Sequence, residues 1–310
     1  MKIFSFTTKD KIPRIGTFWD ENTVIDILVA GEKLPKPKFE KIKEMKELIE
    51  LGDKSLKDLQ KLIISLKDIS ANDRELFQDI EDSSFYPLSD IAFLPPLRNP
   101  QKIICMGRNF AEHAKEGGKE PPKNPMIWGK FNSAIIAHQE HIILPEISEK
   151  VDVEIELVAV LSKRGKNIPE EDALNHVFGY TIGNDVSARD YQYSDKQFTR
   201  SKTMDTFAPL GPWIVTRDEL PDPQNLDMEL TVNGKTWQKS NTKNMIFSVA
   251  YIISYLSKSF TFEAGDLIFT GTPSGVGHYQ KPPSYIKDGD IVKLKIENIG
   301  TLENPVKSEK

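Results

Sequence analysis

A chain of 310 residues with 38% hydrophobic content can bury a substantial core, as one large domain or two smaller ones. Its net charge of −5, without a block of consecutive basic residues, gives no electrostatic footprint for nucleic acid or an anionic membrane. The single cysteine, Cys105, excludes an internal disulfide and any multi-cysteine zinc or iron–sulfur site, no apolar run approaches ~18 residues, and MKIFSFTTKDK lacks the apolar stretch of a signal peptide; a soluble cytoplasmic protein is the expectation.

Residues 1–95 read as a smaller α/β region. KIFSFT, RIGTFW and VIDILV are β-like runs, the last two separated by a polar turn at Asp20, Glu21 and Asn22. PKFEKIKEMKELIEL, with Ile42, Met45, Leu48 and Ile49, and KSLKDLQKLIISL then carry apolar residues at helical spacing beneath solvated Lys/Glu faces. Proline-rich AFLPPLRNP is a connector, and residues 96–310 form the principal domain. There strands dominate: KIICMG, VDVEIELVAV, FGYTIGN, GPWIVT, a hairpin of MELTVNG and KTWQKS turning at Asn233-Gly234, DLIFTG and DIVKLKIEN. IPEEDALNHVFG, with Pro169 near its start and Gly179 at its end, and NMIFSVAYIISYLSK read as helices. Strands and helices do not alternate regularly, so the fold class is α+β, mainly β.

VDVEIELVAV raises the first chemical question. On a strand, Asp152, Glu154 and Glu156 share one face, and neighbouring carboxylates ~7 Å apart repel by roughly 2 kcal/mol at an effective dielectric of ~20. From Leu157 onward both faces are apolar, so the acids sit where the strand enters the core, and something positive should compensate them. Asp185 in GNDVSARD offers a third ligand beside Glu154 and Glu156. Carboxylates without thiolates suit a hard cation, Mg²⁺ ahead of Mn²⁺ and Ca²⁺; an ion-paired strand edge fits the same pattern. His113 and Glu116, three apart in GRNFAEHAKE, are neighbours on a helix and could hold and activate a water, or simply decorate a surface. GTPSGVG, residues 271–277, lacks the ending of a phosphate loop but could present backbone N–H groups to a small anion. HQEH at 138–141 reads as a turn. Lys130 and Lys202 lie among apolar and small residues, where a lysine could balance acidic ligands or hold an anion.

Taken together and in order, GRNFAEHAKE, VDVEIEL, GNDVSARDYQ, SKTMDTFAPLGPWIVT, VNGKTWQ, MIF and GTPSGVG resemble the fumarylacetoacetate hydrolase family over most of residues 99–305. The resemblance implies a mixed β-sandwich roll, a homodimer, and a divalent metal held by Glu154, Glu156 and Asp185. It implies that Lys130 and Lys202 are substrate-site lysines, that Thr272 belongs to an anion-holding loop, that Arg108 and Gln192 line the pocket, and that His113 with Glu116 activates water on a mobile lid. The implied reaction is metal-dependent hydrolysis of a carbon–carbon bond in acylpyruvate-type β-diketo acids through a metal-stabilised pyruvate enolate. Isomerases, decarboxylases and hydratases of 2-oxo or 2-hydroxy-dienoic acids in aromatic or sugar-acid catabolism share that chemistry. Phe110, Phe131, Val153, Ser201 and Met204 depart from the family's usual residues, which bears on substrate length and polarity.

Overall fold

In IVKLKI, residues 291–296, apolar and charged residues alternate, and the segment becomes a strand with one buried and one exposed face. It is the centre of a five-stranded sheet ordered Lys235–Asn241, Asp227–Val232, Ile291–Ile296, Gly300–Ser308, Ile142–Leu144. The Asn233-Gly234 turn joins the first two strands with both residues at positive φ, 50° and 79°, as the two-residue hairpin requires. The computed structural model describes residues 1–34 and 42–309.

A larger, twelve-stranded sheet lies against this one. From the first strand to one edge it runs Lys2–Thr7, Ala208–Thr216, Val177–Asn184, Ile155–Leu161, Leu267–Phe269, Ile103–Gly107, Met126–Gly129. The first strand of the chain is therefore hydrogen-bonded into the same sheet as the strands beyond residue 96.

The row pattern of Ile155–Leu161 follows from what covers each face. Leu157, Ala159 and Leu161 meet Leu230, Leu294 and Leu302 of the five-stranded sheet in one core. Val158 and Val160 belong to a second core with Leu56, Leu59, Leu62 and Leu66 of the helix Asp53–Asn72, each leucine contributing roughly 1.5–3 kcal/mol of burial. A strand covered on both faces must be apolar on both, and this one is. Toward its start, the helix-facing row carries Glu156 and Glu154 instead.

Several sequence expectations change in detail. The acidic segment is not one continuous strand: every residue from Val151 to Leu161 is buried, and the ladder breaks at 153–154 between Val151–Asp152 and Ile155–Leu161. VIDILV is a strand only to Asp26, whose carboxylate accepts the N–H groups of Leu28 and Val29 and so caps the helix Ile27–Glu32. IPEEDALNHVFG forms a 3₁₀ helix, Glu170–His176, and then joins the strand Val177–Asn184. Gly179 is there because a Cβ would lie 2.3 Å from the Val215 carbonyl oxygen, not because it ends a helix. The first charged helix is Met45–Glu50, residues 37–41 of that expectation lying outside the described residues; the apolar one is Val249–Ser257, capped by Ser248. Cys105 is buried, and HQEH is a turn. Among the described residues no helix is long and apolar enough to cross a membrane.

Candidate active site

Antiparallel pairing of Ile155–Leu161 with Val177–Asn184 sets Ile155 opposite Asn184 and Glu156 opposite Gly183. The chain leaving Asn184 turns so that the Asp185 N–H donates to the Glu154 carbonyl at 2.9 Å. One carboxylate oxygen from each of Glu154, Glu156 and Asp185 thereby lies within 4.8 Å of the others, all three residues buried. The third strand, Leu267–Phe269, delivers Gly271, whose N–H donates to Glu156 Oε2 at 2.7 Å. At φ +96°, with a Cβ position only 2.7 Å from Asn109, residue 271 has to be glycine.

Arg189 and Lys202 supply the positive charge. Arg189 Nη2 donates to Glu154 Oε1 at 2.6 Å, while Lys202 Nζ bridges Glu154 Oε2 at 2.8 Å and Asp185 Oδ2 at 2.7 Å. Burial opposes ionisation of Glu154, but Lys202 and then Arg189 overcome it and hold the carboxyl well below the usual carboxylate range. Burial likewise opposes the charge of Lys202, and Asp185 and Glu154 more than restore it.

Glu156 is the exception. Burial, then Asp185 and Glu154, push its carboxyl well above the ordinary range, and Oε1 has no hydrogen-bond partner. Asp185 Oδ1 also accepts no hydrogen bond: Lys130 Nζ stands 2.7 Å away, but its hydrogens are directed at the carbonyls of Val186, Phe207 and Lys202. Four buried carboxyl groups, with Asp152, thus face three buried cations, and Glu156 is the one left without a cation partner. The donor set fits a divalent cation, which the buried triad could hold.

These groups adjoin a cavity of about 610 Å³. Glu154, Lys202, Thr272, Arg108, Gln192 and His113 line it; Lys130 does not, being turned behind Asp185. Thr272 Oγ1 accepts from Gln238 Nε2 at 2.7 Å, which leaves its own hydrogen free to donate into the cavity. Gln192 Oε1 accepts from Arg189 Nη1 at 2.9 Å. His113 sits on the short helix Ala111–Glu116 with Nδ1 2.7 Å from Glu116 Oε1, and Glu116 Oε2 accepts the Gly275 N–H at 2.9 Å, docking this helix on the 271–277 loop.

Several participants have no motif of their own. Arg189 stands inside GNDVSARD, where its pairing with strand acids is invisible. Gln238 ties the hairpin to the Ile155 N–H and to the loop, and Asn109 anchors the root of the His113 helix through Phe247 and the Thr270 carbonyl. Tyr193 and Tyr279 join hydroxyls at 2.9 Å across the cavity wall, and the His278 ring stacks on Tyr193. Tyrosines in YQY and HYQ were the available signal.

The family model "Fumarylacetoacetate (FAA) hydrolase C-terminal" matches residues 102–307, two thirds of the chain. The chain belongs to the fumarylacetoacetate hydrolase family. It is 40% identical to the mitochondrial oxaloacetate tautomerase of Xenopus laevis over 310 residues, covering 99% of this chain and 90% of that protein. Among solved structures, it is 33% identical to a fumarylacetoacetate hydrolase from Exiguobacterium antarcticum, with a TM-score of 0.78 and full coverage of both chains. It is 31% identical to the 2-hydroxyhepta-2,4-diene-1,7-dioate isomerase of Mycobacterium marinum, with a TM-score of 0.73, covering 100% of this chain and 99% of that one. The α+β, mainly β sandwich expected from the sequence is the fold of these family members.

The cytoplasmic expectation is overturned. The Xenopus laevis relative is named mitochondrial, as are those of Bos taurus and Homo sapiens, and these point to mitochondria. One buried thiol and the lack of an apolar span do not distinguish one aqueous, reducing compartment from another.

Proposed function

We propose that the protein is a divalent-cation-dependent enzyme that moves a proton at the carbon beside the keto group of a 2-oxo acid, interconverting keto and enol forms. The observation that carries the reading is the buried Glu154, Glu156 and Asp185 cluster, with Glu156 lacking a cation partner, beside a cavity lined by Glu154, Lys202 and His113. The three carboxylates would hold the ion, and all-oxygen donors favour Mg²⁺ over Mn²⁺ or Ca²⁺. When bound, such an ion supplies Lewis-acid polarisation of a keto oxygen and an adjacent carboxylate.

The remaining work belongs to side chains. Lys202, kept charged by its two carboxylates, faces negative charge developing on the substrate oxygen, and the Thr272 hydroxyl donates to the carboxylate of the 2-oxo acid. His113, oriented at Nδ1 by Glu116, uses its other ring nitrogen to take the proton from carbon and return it; a placed base of this kind contributes ~10²–10⁴-fold. Arg108 and Gln192 orient the substrate. Lys130 acts from behind, fixing Asp185. Likeness to the oxaloacetate tautomerase along nearly the whole chain supports tautomerisation.

A second reading keeps the same groups. If His113 and Glu116 activate a water instead, an acylpyruvate is cleaved at its carbon–carbon bond, and the hydrolase likeness at 33% identity favours this. Deuterium exchange at C3 of oxaloacetate, followed by proton NMR with Mg²⁺ or Mn²⁺, beside pyruvate release from acylpyruvates, separates the two. Metal-dependent exchange without pyruvate release is expected; no metal-dependent reaction on either substrate sinks the proposal. A homodimer is also proposed, from family likeness; a monomer mass in light scattering at micromolar concentration contradicts it.

A further inference from the structure

We propose that His278, backed by Tyr285, is a second proton-transfer group of the cavity, serving the substrate oxygen while His113 serves the carbon; this rests on the keto–enol reading above. Interconverting keto and enol forms moves two protons, one at carbon and one at oxygen, and a base at the carbon accounts for only the first. Two of the five histidines line the cavity, and both are arranged alike. Each has an oxygen at Nδ1, Glu116 Oε1 at 2.7 Å for His113 and the Tyr285 hydroxyl at 2.9 Å for His278, which reserves Nε2 for the cavity. His278 Nε2 makes no hydrogen bond among the described residues.

The surroundings hold this imidazole near the reacting end. Its backbone N–H donates to Asp152 Oδ2 at 2.9 Å, the oxygen that also takes Arg189, and Arg189 reaches Glu154 Oε1 at 2.6 Å. Tyr193 stacks on the ring, centroids 4.9 Å and planes 27° apart, and the Tyr279 ring neighbours both imidazoles, 5.1 Å from His278 and 6.2 Å from His113. Burial, then the Arg189 charge, hold the His278 imidazole below the ordinary histidine range, while burial and then Asp152 raise the Tyr285 hydroxyl. At neutral pH the pair is therefore a neutral imidazole beside a protonated phenol, which can pass a proton either way. In enolisation the C3–H bond breaks and its proton goes to His113 Nε2, which later yields it to water. The electron pair shifts to the keto oxygen, which bonds the proton from His278 Nε2; Nδ1 takes the Tyr285 proton, and water restores it. Ketonisation runs the same transfers backwards.

Two rates measured on the Mg²⁺-loaded full chain with oxaloacetate test this. Deuterium exchange at C3 of the keto form, followed by proton NMR, needs a proton group only at carbon; enol–keto conversion, followed by ultraviolet absorbance, needs one at oxygen as well. In His278→Gln, which keeps the backbone N–H on Asp152, the ratio of conversion to exchange should fall ~10-fold or more, the low end of what a placed acid–base group contributes. In Tyr285→Phe, which keeps the ring and removes the proton, the ratio should fall in the same direction and by less. A ratio unchanged in both variants, or two rates that fall in step as loss of a packing residue would produce, overturns the assignment. Both reactions in the parent with the ratio kept in the variants sink the His278 role alone, whereas no metal-dependent reaction in the parent sinks the 2-oxo acid reading on which it rests.

Discussion

The Arg189 guanidinium closes on the Asp152 carboxylate through two nitrogens, Nε at 2.9 Å and Nη2 at 2.8 Å from the same Oδ2. Asp152 also accepts the N–H groups of Gly277 and His278, each at 2.9 Å, and is fully buried. It is therefore the acid of VDVEIEL that stands outside the triad, joined to it through Arg189. It fixes Arg189, which reaches Glu154, and it fixes the turn from which Tyr279 meets the His113 helix, where a Cβ on Gly117 would come 2.8 Å from the tyrosine hydroxyl.

Asp152→Asn should be among the most destabilising single-atom changes in the protein. The new amide would point a donor at Arg189 or at the 277–278 N–H groups and leave a buried guanidinium half-paired, a loss of about 3–5 kcal/mol. Denaturant unfolding measures it; a loss under ~1 kcal/mol means that Asp152 does not hold this network together.

Glu156→Gln should remove cation binding without unfolding the chain. The side chain keeps its volume and its Gly271 contact but can no longer ionise to face a cation. Without metal the variant's unfolding midpoint should match or exceed the parent's at neutral pH, while the rise produced by millimolar Mg²⁺ in the parent should vanish. A Mg²⁺-induced rise equal to the parent's counts against the triad.

The pH dependence has a definite sign. Because the folded-state pKa of Glu156 is raised, the metal-free native protein holds a proton that the unfolded chain has released above the ordinary carboxylate range. Stability contributed there is complete below the unfolded value and is lost as pH rises through the folded one. Glu154, held low, works in the opposite sense: its contribution is present above its unfolded value and is lost as pH falls through the folded one. A bound divalent ion favours ionised Glu156, so the Mg²⁺-induced gain in midpoint should grow between about pH 5 and about pH 8. A gain that is flat with pH contradicts this.

His113→Ala should leave Mg²⁺ and oxalate binding nearly intact, since neither uses the imidazole, and lower C3 proton exchange by ~10²-fold or more. Exchange at the parental rate would show that another group is the base.

A boundary near residues 95/96 remains a proposal drawn from composition. Strand Lys2–Thr7 pairs with Ala208–Thr216, and the leucines of Asp53–Asn72 cover Val158 and Val160. A fragment of residues 96–310 is accordingly expected to unfold at a lower temperature than the whole chain in calorimetry, while an equal midpoint would make the first 95 residues a fully separate unit.

Local pattern in the sequence determined what neighbouring residues can specify by themselves. Period-two alternation produced Ile291–Ile296, the Asn233-Gly234 pair produced its hairpin, helical spacing produced Asp53–Asn72, and strand parity set Glu154 beside Glu156. The need for positive charge near these acids was also legible, because carboxylates held at strand spacing repel whatever lies around them. Lys130 and Lys202 were candidates to answer it, but Arg189 was not, and which acid each cation meets was hidden because Arg189, Lys202 and Lys130 reach the acids across 35, 48 and 55 residues of chain. Strand parity alone could not separate Asp152 from its two neighbours in role; only the family resemblance left it out of the ligand set. Only the break in the strand at 153–154, and the return of the 277–278 turn to that point, divide the acidic row into a support for Arg189 and an open cluster for a cation. The same limit explains Lys130, grouped with Lys202 as a substrate-site lysine until the carbonyls of Val186, Lys202 and Phe207 closed around it. Long-range register decides such matters, and no local pattern encodes it.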